Sequence, residues 1–286
     1  MIPRMPVLLQ GIEREESRRW ADSMQRYGTD IAGWVAPSGA DADAGGLPVF
    51  PSYAAAVAAT GAGACVAMTE PRRAADGIVE AAEAGIRLIV SVTAGVPLHD
   101  AIRARRRIGA LQAVVIGPGS SGLAMPAARV KLGAVADHCL APGRFALVSA
   151  SASLAAEAGY RMVQAGLGQS LYLDAGSHAV PGTPMEDLPA LVEADAATAA
   201  VVFLATPRGT AAEDFAAGMQ RSGMARKVFA YVAGGALPEG AMGGFWPPPG
   251  HPGPLPVAAK RAALEAAGAE VYNSLGSLIK ALEALP

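Results

Sequence analysis

Three serines at alternate positions, Ser149, Ser151 and Ser153, lie between an apolar run and a stretch of helical periodicity. Hydroxyls at that place serve as N-caps. The free N–H groups and positive dipole end of the following helix can hold a phosphate, a carboxylate or an acyl oxygen without a metal. His178 follows a second apolar run and stands beside Gly176, near the carboxyl end of a strand. A hydroxyl and an imidazole at such a helix start could bind a carboxylate or stabilise an acyl oxyanion, although sequence alone does not bring them together. The other histidines are His99, His138 and His251. None of the four has i,i+4 or H-E-x-x-H spacing, so no metal site is expected. Cys65 and Cys139 lie far apart without a C-x-x-C pattern and read as reduced structural thiols.

These groups need strands that end where they stand. Phe145 to Val148 is a short apolar run of the kind a buried parallel strand shows, and Leu154 to Ala165 is the helix expected after the serines. Toward the amino terminus, Val7 to Gln10 reads as a strand entering a turn at Gly11. Glu13 to Tyr27 reads as a helix and Ile31 to Val35 as a second strand, which is how a dinucleotide-type fold begins. Leu88 to Val92 is the most strand-like run and ends in Thr93-Ala94-Gly95-Val96-Pro97. Ligands of open parallel sheets bind beyond the carboxyl ends of strands, which makes this turn face the candidate cleft. From Leu123 to Arg144 the periodicity is lost, with Pro126, Gly133, Pro142 and Gly143 as breakers, so a boundary is placed there and the domains are expected to span 1–125 and 126–286. Strands over Ala199 to Leu204 and Val228 to Val232 and a short one at Val271, alternating with helices, imply a second parallel sheet.

The 286 residues are 52% hydrophobic and 17% charged, enough for two α/β domains. Only 5% are aromatic and 34 are glycine, so the core must be built from small residues with helices lying close on the sheets. A formal net charge of −2 shows no basic surplus, which argues against nucleic acid and against an anionic membrane surface as partners. No signal-like amino terminus and no long uncharged apolar run is present, so the protein reads as cytoplasmic. A NAD-dependent oxidoreductase is excluded because no G-x-G-x-x-G follows the first strand.

Several short runs occur together in one order: Val7 to Gly11 (VLLQG), Gly46 to Phe50 (GLPVF), Ala81 to Val92 (AAEAGIRLIVSV), Gly95-Val96-Pro97, Ile116-Gly117-Pro118, Gly166-Leu167-Gly168-Gln169-Ser170, Val180-Pro181-Gly182 and Ala262 to Gly268 (AALEAAG). In that order and spacing the chain resembles the α subunit of succinate–CoA ligase over nearly its whole length. The resemblance implies an α/β chain with an N-terminal Rossmann-like CoA-binding-type domain, followed by a flavodoxin-like CoA-ligase-type domain. It further implies coenzyme A as a ligand near Gly11, Thr93, Gly95 and Pro97, a small carboxylate or acyl group as substrate, and a β-like ATP-grasp partner subunit. In that family a histidine in G-H-A-G-A carries phosphate. Here either Gly244 or His251, within Gly250-His251-Pro252-Gly253, takes its place, depending on the register.

The sequence departs from the family at its chemistry. The glycine-rich first turn has become Gly11-Ile12-Glu13-Arg14-Glu15-Glu16, whose carboxylates would repel a diphosphate unless Arg14, Arg18 or Arg19 folds back onto the ligand. The loop Pro37 to Gly46 is acidic where the family has a lysine. The carboxylate that orients the family histidine is replaced in Thr206-Pro207-Arg208-Gly209, and Gly176-Ser177-His178-Ala179 stands for G-G-D-P. Prolines 247 to 249, 252, 254 and 256 stiffen the segment around His251. These departures point to a divergent ligase α-like subunit whose phosphohistidine relay is lost. The alternatives are a non-catalytic binding or assembly pseudoenzyme and a carbamoyl or acyl transferase of the oxamate carbamoyltransferase type.

Overall fold

Short runs of small and β-branched residues form two sheets, one parallel throughout and one mixed, each framed by alanine-rich helices. The computed structural model describes residues 5–36, 44–236 and 256–285. The chain divides into one unit made of Ile2–Asp137 with Gly176–Thr183 and a second made of His138–Ala175 with Pro184–Pro286.

The first unit runs β1 (Val7–Gln10), α1 (Glu15–Tyr27), β2 (Ile31–Val35), β3 (Val49–Phe50), α2 (Tyr53–Thr60), β4 (Ala64–Ala67), α3 (Pro71–Glu83), β5 (Leu88–Ser91), α4 (Leu98–Ile108), β6 (Val114–Ile116), β7 (Gly122–Met125) and β8 (Val130–Gly133). Its six-stranded sheet has the order β3-β2-β1-β4-β5-β6 with parallel pairing throughout. That order reverses between β1 and β4, the switch point at which such sheets open a crevice. Leu8, Val35, Cys65, Ile89 and Val115 share a core with Ala74, Ala75, Ile78, Ala81 and Ala82 of α3, where short side chains let the helix lie close. Helix α1 buries Ser17, Ala21 and Met24 on one stripe, and it packs with the antiparallel hairpin β7–β8.

That hairpin lies where the sequence shows no periodicity, because its second strand carries a lysine inward. Lys131 is fully buried. Its Nζ donates to Ser23 Oγ at 2.8 Å, pairs with Asp137 and sits 5.3 Å from the centroid of the Tyr27 ring. Thr29 Oγ1 donates to Lys131 O at 2.8 Å and accepts from Lys131 N at 3.0 Å. These bonds tie the segment to α1 and to the turn before β2. The break between the units therefore comes after Asp137, whereas the sequence reading set it at 125 and 126.

The second unit runs β9 (Pro142–Ser149), α5 (Ala152–Gln164), β10 (Gln169–Asp174), α6 (Leu188–Glu193), β11 (Ala200–Ala205), α7 (Ala211–Ser222), β12 (Lys227–Val232), α8 (Val257–Ala266), β13 (Glu270–Tyr272) and α9 (Leu275–Glu283). Its parallel strands have the order β13-β12-β11-β9-β10. Numbered within the unit, this is the flavodoxin-like 2-1-3-4-5 order, with the switch point between β9 and β11. Phe203 and Phe215, both fully buried, stack with centroids 3.9 Å apart and fasten α7 to the sheet. No helix among the described residues is long and apolar enough to cross a membrane.

Candidate functional site

In the second unit the serine turn lies at the switch point. Ala150 N donates to Leu204 O at 3.0 Å, which sets the turn beside the end of β11 and the following residues Thr206 to Thr210. Helix α5 begins at Ala152, two residues earlier than the sequence suggests, with Ser151 as an extended N-cap that makes no side-chain capping bond. The hydroxyls bond within their own turn. Ser149 Oγ accepts from Ser151 N at 3.1 Å and donates to Ser151 O at 2.9 Å, and the Oγ atoms of Ser151 and Ser153 are 3.3 Å apart. The expected capping by Ser149, Ser151 and Ser153 is thus replaced by a self-bonded turn, and no capping hydroxyl occupies the first-turn amides of α5.

Asp174, fully buried at the end of β10 and in register with Ser149, was not singled out from sequence. A carboxylate closing a buried strand beside a hydroxyl turn is the signal that could have found it. Lys260, also fully buried, donates from Nζ to Gly209 O and to both Glu213 oxygens at 3.0 and 3.1 Å, fixing the turn that leads into α7. Sequence inspection gave no sign of this pair, since Glu213 and Lys260 are far apart in the chain.

In the first unit the carboxyl ends of β1, β4 and β5 converge. Gly11 has φ +108°, and a Cβ there would lie 2.6 Å from Met68 O and 3.2 Å from Thr69 N, so only glycine lets the first turn close on the end of β4. Ser17 Oγ donates to the same Met68 O at 3.3 Å, and Thr93 Oγ1 donates to Thr69 O at 2.7 Å. Thr93, Gly95 and Pro97 lie together in the turn from β5 to α4, with Gly95 at φ +75° and Pro97 as the N-cap. Thr69 Oγ1 and Ser91 Oγ, at the same edge, are buried with no hydrogen-bond partner among the described residues. Each such hydroxyl costs ~1–3 kcal/mol unless something bonds it.

The charges of the first turn are sorted. Arg19 pairs with Glu15 at 2.6 Å and Arg14 lies 4.0 Å from Glu16, while Arg18 Nη1 donates to Ile12 O at 2.6 Å, back toward the start of α1. Orphaned hydroxyls, uncapped first-turn amides and a guanidinium together fit an anionic ligand that carries phosphate and amide groups, as coenzyme A does. Cys65 lies deeper, and burial pushes its thiol up to about 12, with a bond from Tyr53 acting the other way. A thiol so held is no nucleophile near neutral pH.

The segment Gly176–Thr183 returns to the first unit along β6. Gly182 N donates to Gly117 O and Thr183 N to Val115 O, each at 2.8 Å, and Val115 N donates to Thr183 Oγ1 at 2.8 Å. Gly176 has φ +93°, and a Cβ on it would meet Pro118 O at 2.5 Å, so this glycine serves close backbone packing. His178 has both ring nitrogens engaged with main chain. Its Nε2 lies 2.9 Å from Val96 O, and its Nδ1 accepts from Val180 N at 3.0 Å. Nδ1 also lies 3.0 Å from Val180 O. With both ring nitrogens at hydrogen-bond distance from main chain, His178 forms a clasp between this segment and the turn after β5. His178 belongs to the first unit and the serine turn to the second. His251 and the competing Gly244 lie outside the described residues.

Comparison with known proteins gives three kinds of match. A family profile described as "CoA binding domain" matches residues 4–95. The chain is 32% identical over 280 residues to succinate–CoA ligase [ADP-forming] subunit alpha 1 of Archaeoglobus fulgidus, covering 96% of this chain and 93% of that one. It is 31% identical to the malate–CoA ligase subunit alpha of Methylorubrum extorquens, over 96% of this chain and 90% of that one. It is 30% identical to the ADP-forming sulfoacetate–CoA ligase subunit SauD of Bilophila wadsworthia, over 96% of each chain. Among solved structures, ATP citrate lyase from Methanothrix soehngenii, in complex with citrate and coenzyme A, is similar with TM-score 0.80 and 21% identity. That match covers 98% of this chain and 50% of the longer one.

Proposed function

This chain belongs to the succinate–CoA ligase alpha-subunit family, and from that premise we propose that it is the coenzyme A-binding subunit of an ADP-forming acid–CoA ligase. It would work with a β-like ATP-grasp partner on a small carboxylate. The observation that carries this reading is the carboxyl edge of the first unit, where the buried hydroxyls of Thr69 and Ser91 have no partner among the described residues and the start of α1 is uncapped. The coenzyme supplies the thiol that accepts the acyl group, while ATP is converted to ADP and phosphate. This chain's share is to hold the coenzyme along the ends of β1, β4 and β5. The open first-turn amides of α5, with Ser149 and Ser151 shaping the turn, would receive a carboxylate, acyl or phosphate oxygen. Calorimetric titration with coenzyme A tests the reading. A Kd tighter than about 100 μM, or ~5.5 kcal/mol, supports it, and absence of heat and of thermal stabilisation at millimolar coenzyme refutes it.

We further infer that the mobile phosphohistidine of the family is not retained. Support comes from the turn after β11, where Thr206 and Arg208 stand near the place of the orienting carboxylate, and from the commitment of both His178 nitrogens to main chain. Incubation with labelled ATP and the β-like partner, followed by analysis under alkaline conditions that preserve phosphohistidine, decides the point. Label on His251 would show the relay intact. No observation favours the assembly reading or the carbamoyl-transfer reading over a ligase subunit.

A further inference from the structure

Three carboxylates, Glu13, Glu15 and Glu16, follow the Gly11 turn, and the arginines among them are not equally committed. Glu15 is neutralised by Arg19 at 2.6 Å, and Glu16 has Arg14 within 4.0 Å. Arg18 makes no ion pair among the described residues. One of its N–H groups goes to Ile12 O at 2.6 Å, which turns the half-buried guanidinium back onto the turn one helical repeat earlier. A guanidinium has five donors, so four remain. Helix α1 starts without a side-chain cap, and Thr69, whose main-chain N would lie 3.2 Å from a Cβ placed on Gly11, has its Oγ1 buried with no partner among the described residues.

We propose that Arg18 is the diphosphate-binding side chain of this protein. It supplies by a fixed cation what glycine-rich turns supply with backbone amides, together with the first-turn amides of α1 and the Thr69 hydroxyl. This rests on the reading of the first unit as a coenzyme A site and specifies which residue holds the charge. Ile12 O restrains the guanidinium before any ligand arrives, so little side-chain freedom is lost on binding. The same arrangement lowers the negative charge a polyanion meets at the helix start, because Glu15 has Arg19 and Glu16 has Arg14 beside it.

The test compares coenzyme A, dephospho-coenzyme A and pantetheine by calorimetry on the whole chain and on the variants Arg18→Gln and Arg19→Gln. Arg18→Gln is expected to weaken both diphosphate-bearing ligands on the order of 10- to 100-fold and leave pantetheine unchanged. It should also reduce the dependence of affinity on salt. Arg19→Gln, whose guanidinium bonds Glu15 at 2.6 Å, removes the same charge and uncovers one carboxylate, and should cost the diphosphate-bearing ligands far less than Arg18→Gln does. Equal loss in both variants, or no loss in Arg18→Gln, overturns the assignment while leaving the coenzyme site standing. Binding of pantetheine as tightly as coenzyme A by the parent chain overturns it without any variant. Failure of the parent to bind coenzyme A at all removes the site and the assignment together.

Discussion

The buried pair Lys260 and Glu213 gives an asymmetric prediction. Lys260 Nζ is completely enclosed and has three acceptors, Gly209 O and the two Glu213 oxygens at 3.0 and 3.1 Å, whereas the Glu213 side chain is 25% exposed. Glu213→Ala leaves an ammonium inside the protein with one carbonyl for company. Breaking a buried pair from that side costs ~3–5 kcal/mol, and the partial exposure of Glu213 places the loss near the lower end. Lys260→Met removes the charge itself and keeps most of the stem volume. Glu213 can then turn to water, and the main loss is the bond to Gly209 O, ~1–2 kcal/mol. The double variant should cost no more than Lys260→Met alone, giving a coupling of ~3 kcal/mol. Urea denaturation followed by far-UV circular dichroism would measure these values, with hydrogen exchange in α7 and α8 to locate the loss. If Lys260→Met proves as damaging as Glu213→Ala, or the two losses simply add, burial is not what governs this pair.

Three further outcomes follow from the geometry. Gly11→Ala meets Met68 O at 2.6 Å in a backbone conformation at φ +108°, so it should lose ~1–3 kcal/mol in a thermal melt and weaken coenzyme A binding together. The Cys65 thiol, raised from 9.0 to about 12, keeps its proton in the folded chain while the unfolded chain loses it. Stability should therefore fall as pH rises between those two values, by ~1.4 kcal/mol per pH unit from this group. The slope should be shallower by that amount in Cys65→Ala, and an unchanged slope would contradict the burial. His178→Ala removes contacts to Val96 O and Val180 N, so amide exchange at Val180, Gly182 and Thr183 should accelerate about tenfold or more, at ~1 kcal/mol per bond lost. Unaltered exchange there would return His178 to the list of reactive groups.

The strands were legible because each is a short apolar run closed by glycine or a hydroxyl. Val7–Gln10 and Ile31–Val35 match residue for residue, and β5 and β9 differ only at their ends. The hairpin β7–β8 was not legible, because Lys131 interrupts the apolar alternation and is made compatible with burial only by Ser23, Asp137 and Tyr27. At the candidate site, Gly11, Thr93 and Gly95 could be placed from the rule that ligands lie beyond strand ends. The destination of each side chain could not. Whether Arg18 turns to Ile12 O, or His178 spends its nitrogens on Val96 and Val180, depends on turns whose three-dimensional course no spacing records. Family text located the positions, and hydrogen bonding then distinguished charges that are matched from one that is not.

The return of Gly176–Thr183 along β6 means that cutting the gene between residues 137 and 138 would not yield self-sufficient modules. An amino-terminal fragment would expose the Val115 and Gly117 groups that this segment bonds, and the other fragment would carry eight residues shaped for an absent neighbour. Chimaeras between relatives would have to exchange both stretches at once, so recombination should favour whole subunits over halves.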